Sequence, residues 1–490
     1  MPRSHATEEL HEPKLIGGHN KPKPPHGRAL TLVLCGIAAG IYEGDALLIA
    51  AVAQNLAERF ELSISGIGSL MMVRAFIQAF LMPLWGYMAD RTSRKKLLSL
   101  GVFLWGLDAL LLSGCQKTWQ LLVVRGLAGI GLSAVPPVAH SIVSDLYAPE
   151  DRGNAFGWIG FSMIMGGSFG TLFGVNVGSV DKIMGITGWR FMFLSVAVLA
   201  LILAVVMYYV GIDPPRGTME PGYDPDAPIA VNEDGEEINP HLLNENHISL
   251  GASIKALFAI PTFVLLFLRS SFDGIPSNAN SLFILWYEYL GFEESEASYL
   301  VTLMYSSAAV SSLGGGIIAD WLMRRAQVKL DVADEAYEVA HARVGEARRA
   351  EDEALQAGAP AGDAHERLLE AEAELEEKDV ERNDAMQAMN MSRIMFAQSG
   401  AALAMIFCIL HFKVGPKTKY MGGDTPLDEA LWWFLPIGLL MNLCGNWDEQ
   451  ACDLPLMSYV VPPEIRGTGF GAMTMTQTFW AFLATAMVGI

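Results

Sequence analysis

About eleven apolar runs, each long enough to cross a hydrocarbon layer, constrain this chain more than any other feature. A helix needs about 20 apolar residues to span roughly 30 Å. The runs lie near 28–56, 64–88, 97–114, 119–146, 152–178, 188–211, 255–290, 297–323, 392–413, 428–460 and 467–490. They are continuous rather than alternating, which is the pattern of helices and not of barrel strands. With 52% hydrophobic and 18% charged residues, the chain has too little polar surface to cover these runs in water. The reading is an all-α membrane protein.

The formal net charge of −20 is local. Residues 213–250 carry an excess of eight acids and residues 331–384 an excess of twelve, so the rest is near neutral. The acidity therefore belongs to two solvated segments and implies no basic or nucleic-acid partner. Residues 1–27 read as a polar tail without the apolar core and cleavage site of a signal peptide. Lys14, Lys21, Lys23 and Arg28 precede the first run, and Arg91, Arg94, Lys95 and Lys96 follow the second. The positive-inside rule then expects a cytosolic N-terminus, with Lys413, Lys417 and Lys419 dissenting on the outer side.

The polar segments divide the chain into a six-helix half at 28–211, an acidic cytosolic linker at 212–254 and a second half at 255–325 and 392–490. Residues 326–391 interrupt that second half. They are rich in Ala, Glu and Arg on both sides of AGAPAG (357–362), which predicts a charged helical hairpin turning at Gly358, Pro360 and Gly362. It is either a solvated insertion or a docking arm for a cytosolic partner.

Two motifs recur in order. G-Y-M-A-D-R-T-S-R-K (Gly86 to Lys95) matches G-I-I-A-D-W-L-M-R-R (Gly316 to Arg325) at an offset of 230 residues. S-D-L-Y-A-P-E-D-R-G-N-A-F-G (Ser144 to Gly157) matches S-Y-V-V-P-P-E-I-R-G-T-G-F-G (Ser458 to Gly471) at 314. Two related, pseudo-symmetric halves are the plan of many secondary transporters, whose site lies between the halves. An Asp at a helix end can bridge to a neighbouring helix terminus and release it. Gly86, Asp90, Arg91, Arg94, Arg152, Asp320, Arg324 and Arg466 are therefore the expected gating set. By the repeat, the second half lacks a counterpart of 188–211, which is read as a missing twelfth span and an incomplete reading frame.

GYMADRTSRKKL resembles the signature loop of the major facilitator superfamily, and LLVVRGLAGIGLSA (121–134) resembles its fourth-helix signature, with Arg125 at the characteristic arginine. VRGLAGIG, SDLYAPEDRGNAFG, the Gly-rich fifth helix, and Asn446-Trp447 before YVVPPEIRGTG are most similar to the spinster-like branch. The resemblance covers about 35–323 and 392–490. It implies a major facilitator fold and a secondary carrier; some members carry lysolipids or a phosphorylated sphingoid base. Two departures stand out: Asp45 is followed by Ala46 where the branch often has Arg, and Leu132 stands where it often has Glu.

Ionisable side chains inside apolar runs are costly and usually face a cavity or a partner. On that ground Glu43, Asp45, Arg74 and Arg125 are candidates for substrate or coupling in the first half, with Arg125 the expected partner of Asp45. In the second half they are Arg269, Asp273, Asn446, Asp448 and Glu449, near Asn442 and Asp453. Arg269 and Asp273, four apart, are expected to pair, with the helix breaking at Gly274 and Pro276. His140 is either a satisfied core histidine or a proton carrier. Gly36, Gly40 and Gly44, and Gly166, Gly170, Gly174 and Gly178, clear helix faces and predict sliding contacts between the halves. Cys35, Cys115, Cys408, Cys444 and Cys452 read as buried small hydrophobes. No nucleotide loop, metal cluster or catalytic triad appears, so neither an enzyme nor a cofactor is expected. The expected partners are a small-molecule or lipid substrate, membrane lipid, and protons or another coupling ion. The competing reading is a receptor-like or scaffold protein on a transporter fold.

Overall fold

The structure is a computed structural model, and it describes residues 25–220, 230–231, 237–238, 249–277, 283–356, 362–419 and 422–488. The first half contains α1 (Arg28–Ala51), a short α2 (Ala53–Phe60), α3 (Ile64–Ala89), α4 (Arg94–Gly114), α5 (Thr118–Leu132), α6 (Val135–Leu146), α7 (Arg152–Phe173) and α8 (Gly188–Val210). The Ser63 hydroxyl caps α3 by accepting the Gly66 N–H. The fourth apolar run is two helices, because Pro136 and Pro137 at the start of α6 have no N–H for a continuous ladder. A π-helical turn, Gly174–Gly178, extends α7.

The linker includes a two-residue antiparallel pair, Ala230–Val231 with Glu237–Ile238. The second half contains α9 (Leu250–Phe258), α10 (Pro261–Ser277), α11 (Phe283–Leu290), α12 (Glu294–Gln356), α13 (Gly362–Ile409), α14 (Leu427–Gly445), α15 (Leu454–Val460) and α16 (Arg466–Val488). The run at 255–290 is not one helix. Leu250–Phe258 and Pro261–Asp273 meet at 96°, with Pro261 taking the first helical position after the break. Helix α10 then runs through Gly274 and Pro276 to Ser277, so the expected break at those residues is wrong.

Among the described residues nine helices are long and apolar enough to cross a membrane, or ten if the bent pair is one span. The eleventh expected run is α16, a 23-residue helix that stands outside this count. The chain is a multi-pass integral membrane protein, and side chains such as Phe169, Leu199 and Leu265 are accordingly exposed.

The charged hairpin continues two spanning helices rather than forming a separate body. Helix α12 is unbroken for 63 residues and α13 for 48; the turn at 357–361 lies outside the described residues. Arg343–Glu374, Arg348–Glu372 and Arg382–Asp334 pair across the arm at 2.6–3.0 Å. Met323, Leu330 and Met389 pack at its base.

The glycine register packs α1 on α7, where a Cβ on Gly40 or Gly166 would overlap the other's backbone. Both helices belong to the first half, so the expected sliding contact between halves is not there. The halves instead meet along α3–α16 and α7–α12. A Cβ at Gly86 would overlap the Gly467 carbonyl, and one at Gly316 the Gly153 carbonyl. Four cysteines are buried as expected, but Cys408 is exposed.

Candidate functional site

Asp45, from the middle of α1, is 2% exposed and gathers three neighbouring helices. Arg125 of α5 donates from Nη1 to Oδ1 at 3.0 Å and from Nη2 to Oδ2 at 2.8 Å. Trp105 of α4 donates its indole N–H to Oδ1 at 2.9 Å. Arg74 of α3 places Nε 3.0 Å from Oδ2 and donates to the Tyr42 carbonyl. A buried carboxylate repays its desolvation only with such geometry. Glu43 sits beside Arg74 and against Gly167 of α7. A further acid, Asp108 on α4, is equally buried close to this cluster. Sequence reading passed over it, although an acid inside an apolar run was the available signal.

In the second half, Arg269 of α10 pairs with Asp448 and Asp453, not with Asp273. The π-helical turn Glu449–Asp453 brings both acids toward α10. Asp273 instead accepts from Gln477 of α16 at 3.2 Å. Glu449 adjoins Asp273, Asp448, Arg269 and Gln477. Asn446 is a helix-end residue: its amide donates to the Asn442 carbonyl, and Asn442 donates to Gly438. Trp447 next to it stacks on Phe396 at 5.0 Å and packs on Gly315 and Gly400. His140 is buried between Phe156 and Phe470, with centroids at 5.6 and 5.4 Å.

The repeated loops form a second centre at one end of the bundle. Asp90 at the end of α3 accepts from the Gly467 and Thr468 N–H groups at 2.7 and 2.8 Å and from the Thr468 hydroxyl at 2.6 Å, capping α16 of the other half. Asp320 on α12 mirrors it, accepting from the Gly153 and Asn154 N–H groups at 3.0 and 2.6 Å and capping α7. A carboxylate at a helix N-terminus meets unsatisfied donors and the positive end of the dipole together. Burial pushes the Asp90 carboxyl up to about 6, against the opposing pull of its Thr468 and Gly467 hydrogen bonds.

Arg152 and Arg466 open α7 and α16, and both donate to Glu220 Oε1 of the linker, at 2.8 and 2.6 Å. Arg466 also reaches Asp145 at 3.1 Å. Arg94 pairs with Asp145 and with Asp213 of the linker, while Arg216 donates to the Ala89 carbonyl at 2.6 Å. Arg393 joins Asp320 at 2.8 Å. Arg324 makes an exposed pair with Asp151 at 3.0 Å. That pair joins the two halves, whereas Arg91, just past the end of α3, lies over the Tyr87 ring. Asp145, Asp213, Arg216, Glu220 and Arg393 were not expected. Asp145 stands inside the repeated SDLY segment, where Tyr459 replaces it in the second copy, and that asymmetry was the signal.

Residues 32–331 match the family described as the Major Facilitator Superfamily. The chain is 27% identical over 223 residues to protein spinster homolog 1 of Xenopus tropicalis, covering 45% of this chain and 38% of that protein. It is 31% identical over 167 residues to the sphingosine-1-phosphate transporter SPNS2 of Xenopus tropicalis, covering 33% and 31%. The chain thus spans less than half the length of these curated relatives. In fold it is similar to the proton:xylose symporter XylE, with a TM-score of 0.55 at 13% identity, covering 94% of this chain and 88% of that one.

Proposed function

This chain belongs to the Major Facilitator Superfamily, and from that premise we propose that it is a secondary carrier that moves a small organic solute or a single-chain lipid by alternating access. The observation that carries the reading is the reciprocal capping of α16 by Asp90 and of α7 by Asp320. Each half supplies the carboxylate, and each receives the other's on a helix N-terminus. Such a contact is made or broken as a unit when the halves rock, and it leaves no covalent obstacle. The conformation described has that end closed. The positive flanks of the first two spanning helices support a cytosolic position for it.

Asp45, Arg74 and Arg125 supply the charged wall of the central site in the first half; Arg269, Asp448, Glu449 and Asp453 supply that of the second. Two buried guanidinium groups suit an anionic head group, in keeping with the sphingosine-1-phosphate transporter among the relatives. The symporter with a similar fold makes the proton the first coupling ion to try. The experiment is counterflow exchange by the purified chain in proteoliposomes, with a panel of lysolipids, organic anions and sugars, with and without a protonophore. Exchange of at least one class, abolished by Asp45→Asn, is expected. No exchange of any class, from protein that is folded and inserted, would overturn the reading.

A further inference from the structure

Asp108 on α4 belongs neither to the loop-end gate nor to the ion pairs around Asp45. It is 2% exposed, and neither of its carboxylate oxygens meets a donor in good hydrogen-bond geometry. An ionised carboxylate left so is costly, and taking up a proton relieves most of the cost. The groups that act on it come from three neighbouring helices: Arg125 and, outside good hydrogen-bond geometry, the Ala128 N–H of α5, Asp45 of α1 and Arg74 of α3, with the Cys115 thiol just past the end of its own helix.

Both guanidinium groups are committed elsewhere. Arg125 gives both Nη atoms to Asp45. Arg74 lies on Asp45 and on the Tyr42 carbonyl, beside Glu43. On α8, Arg190 turns to the Ser113 and Cys115 carbonyls. Trp105, one turn before Asp108 on the same face of α4, has its N–H on Asp45. Helix α4 therefore brings to this cluster one satisfied donor and one acid that is left over.

We propose that Asp108 is a proton-binding site: its carboxyl holds a proton taken from water while Arg125 is engaged by Asp45, and returns it to water when Arg125 turns toward Asp108. The balance is simple. On release the cluster gains one negative charge, on Asp108, and Arg125 neutralises it. Only the use of this proton in coupling rests on the carrier reading; its presence on Asp108 does not.

The test is infrared difference spectroscopy of the purified full chain in detergent near neutral pH. Parent minus Asp108→Asn should show the carbonyl stretch of a protonated carboxylic acid, lost in the variant. Asp108→Glu should keep the band at a shifted frequency, which covers the case that the Asn variant does not fold. Asp45→Asn, which frees Arg125, should reduce the Asp108 band. A band that is unchanged in Asp108→Asn, that keeps the parental frequency in Asp108→Glu, or that stays at full intensity in Asp45→Asn overturns the proposal. Failure of counterflow exchange alongside the expected spectra would instead overturn the carrier reading alone.

Discussion

Asp45 pairs with two guanidinium groups and accepts from an indole at once, so four helices depend on one side chain. Removing it leaves two buried cations, of which Asp108 can compensate one. We expect Asp45→Ala to cost about 3 kcal/mol, seen as a lowered Tm of the purified protein; a parental Tm would show that the pair does not hold these helices. Asp90 gives a pH dependence with a definite sign. Its carboxyl is raised to about 6 in the closed arrangement, against about 3.9 for a solvated aspartate, so closure takes up a proton between those values. The closed form should gain as pH falls from 7 to 5 and lose that gain as pH rises through about 6. Labelling of a loop-end cysteine should therefore slow on acidification in the parent, and the slope should be reduced in Asp90→Asn. The pairing of Asp45 with Arg125 was legible because an intramembrane charge must find an opposite one. The partner of Arg269 was not legible: spacing on one helix favoured Asp273, whereas a π-turn 180 residues away delivers two better-placed acids.

At the scale of elements, repeats are informative because each copy predicts the other's contacts. The two G-x-x-A-D segments were legible as helix-terminus bridges, and each Asp caps the opposite half. Glycines were legible as close approaches but not by partner. Periodicity marks a cleared face and is silent about what comes to it, so the α1–α7 register looked like an interface between halves. The true seams use Gly86 and Gly316, which stand in the repeated motif itself. A Cβ at either would overlap a carbonyl of the other half, whereas one at Gly114 meets nothing within 4 Å. Gly86→Ala and Gly316→Ala should each raise the labelling rate of Thr468→Cys several-fold, with Gly114→Ala as the unaffected control. Equal rates in all three would mean that the seam yields without opening.

At the scale of the molecule, the linker ties the two halves together at the loop end. Glu220 is shared by Arg152 and Arg466, one from each half, a contact that composition alone had dismissed as solvated acidity. Glu220→Ala leaves two buried arginines competing for Asp145 and backbone carbonyls. It should shift the population toward the loop-end-open form, read as faster cysteine labelling with secondary structure retained. The arm formed by α12 and α13 makes its ion pairs within itself beyond its base. Replacing 331–386 by a short Gly/Ser linker should leave exchange near the parental rate; loss of exchange in inserted protein would tie the arm to the gate. The continuity of α12 has a mechanical consequence. About 33 residues project past Met323, roughly 50 Å of helix at 1.5 Å per residue, without a hinge between membrane and tip. Each degree by which the second half tilts sweeps the tip through about 0.9 Å at that length. The arm is a pointer that converts a buried rearrangement into a displacement large enough to be followed by a pair of spin labels or fluorophores, one at its tip and one on α8.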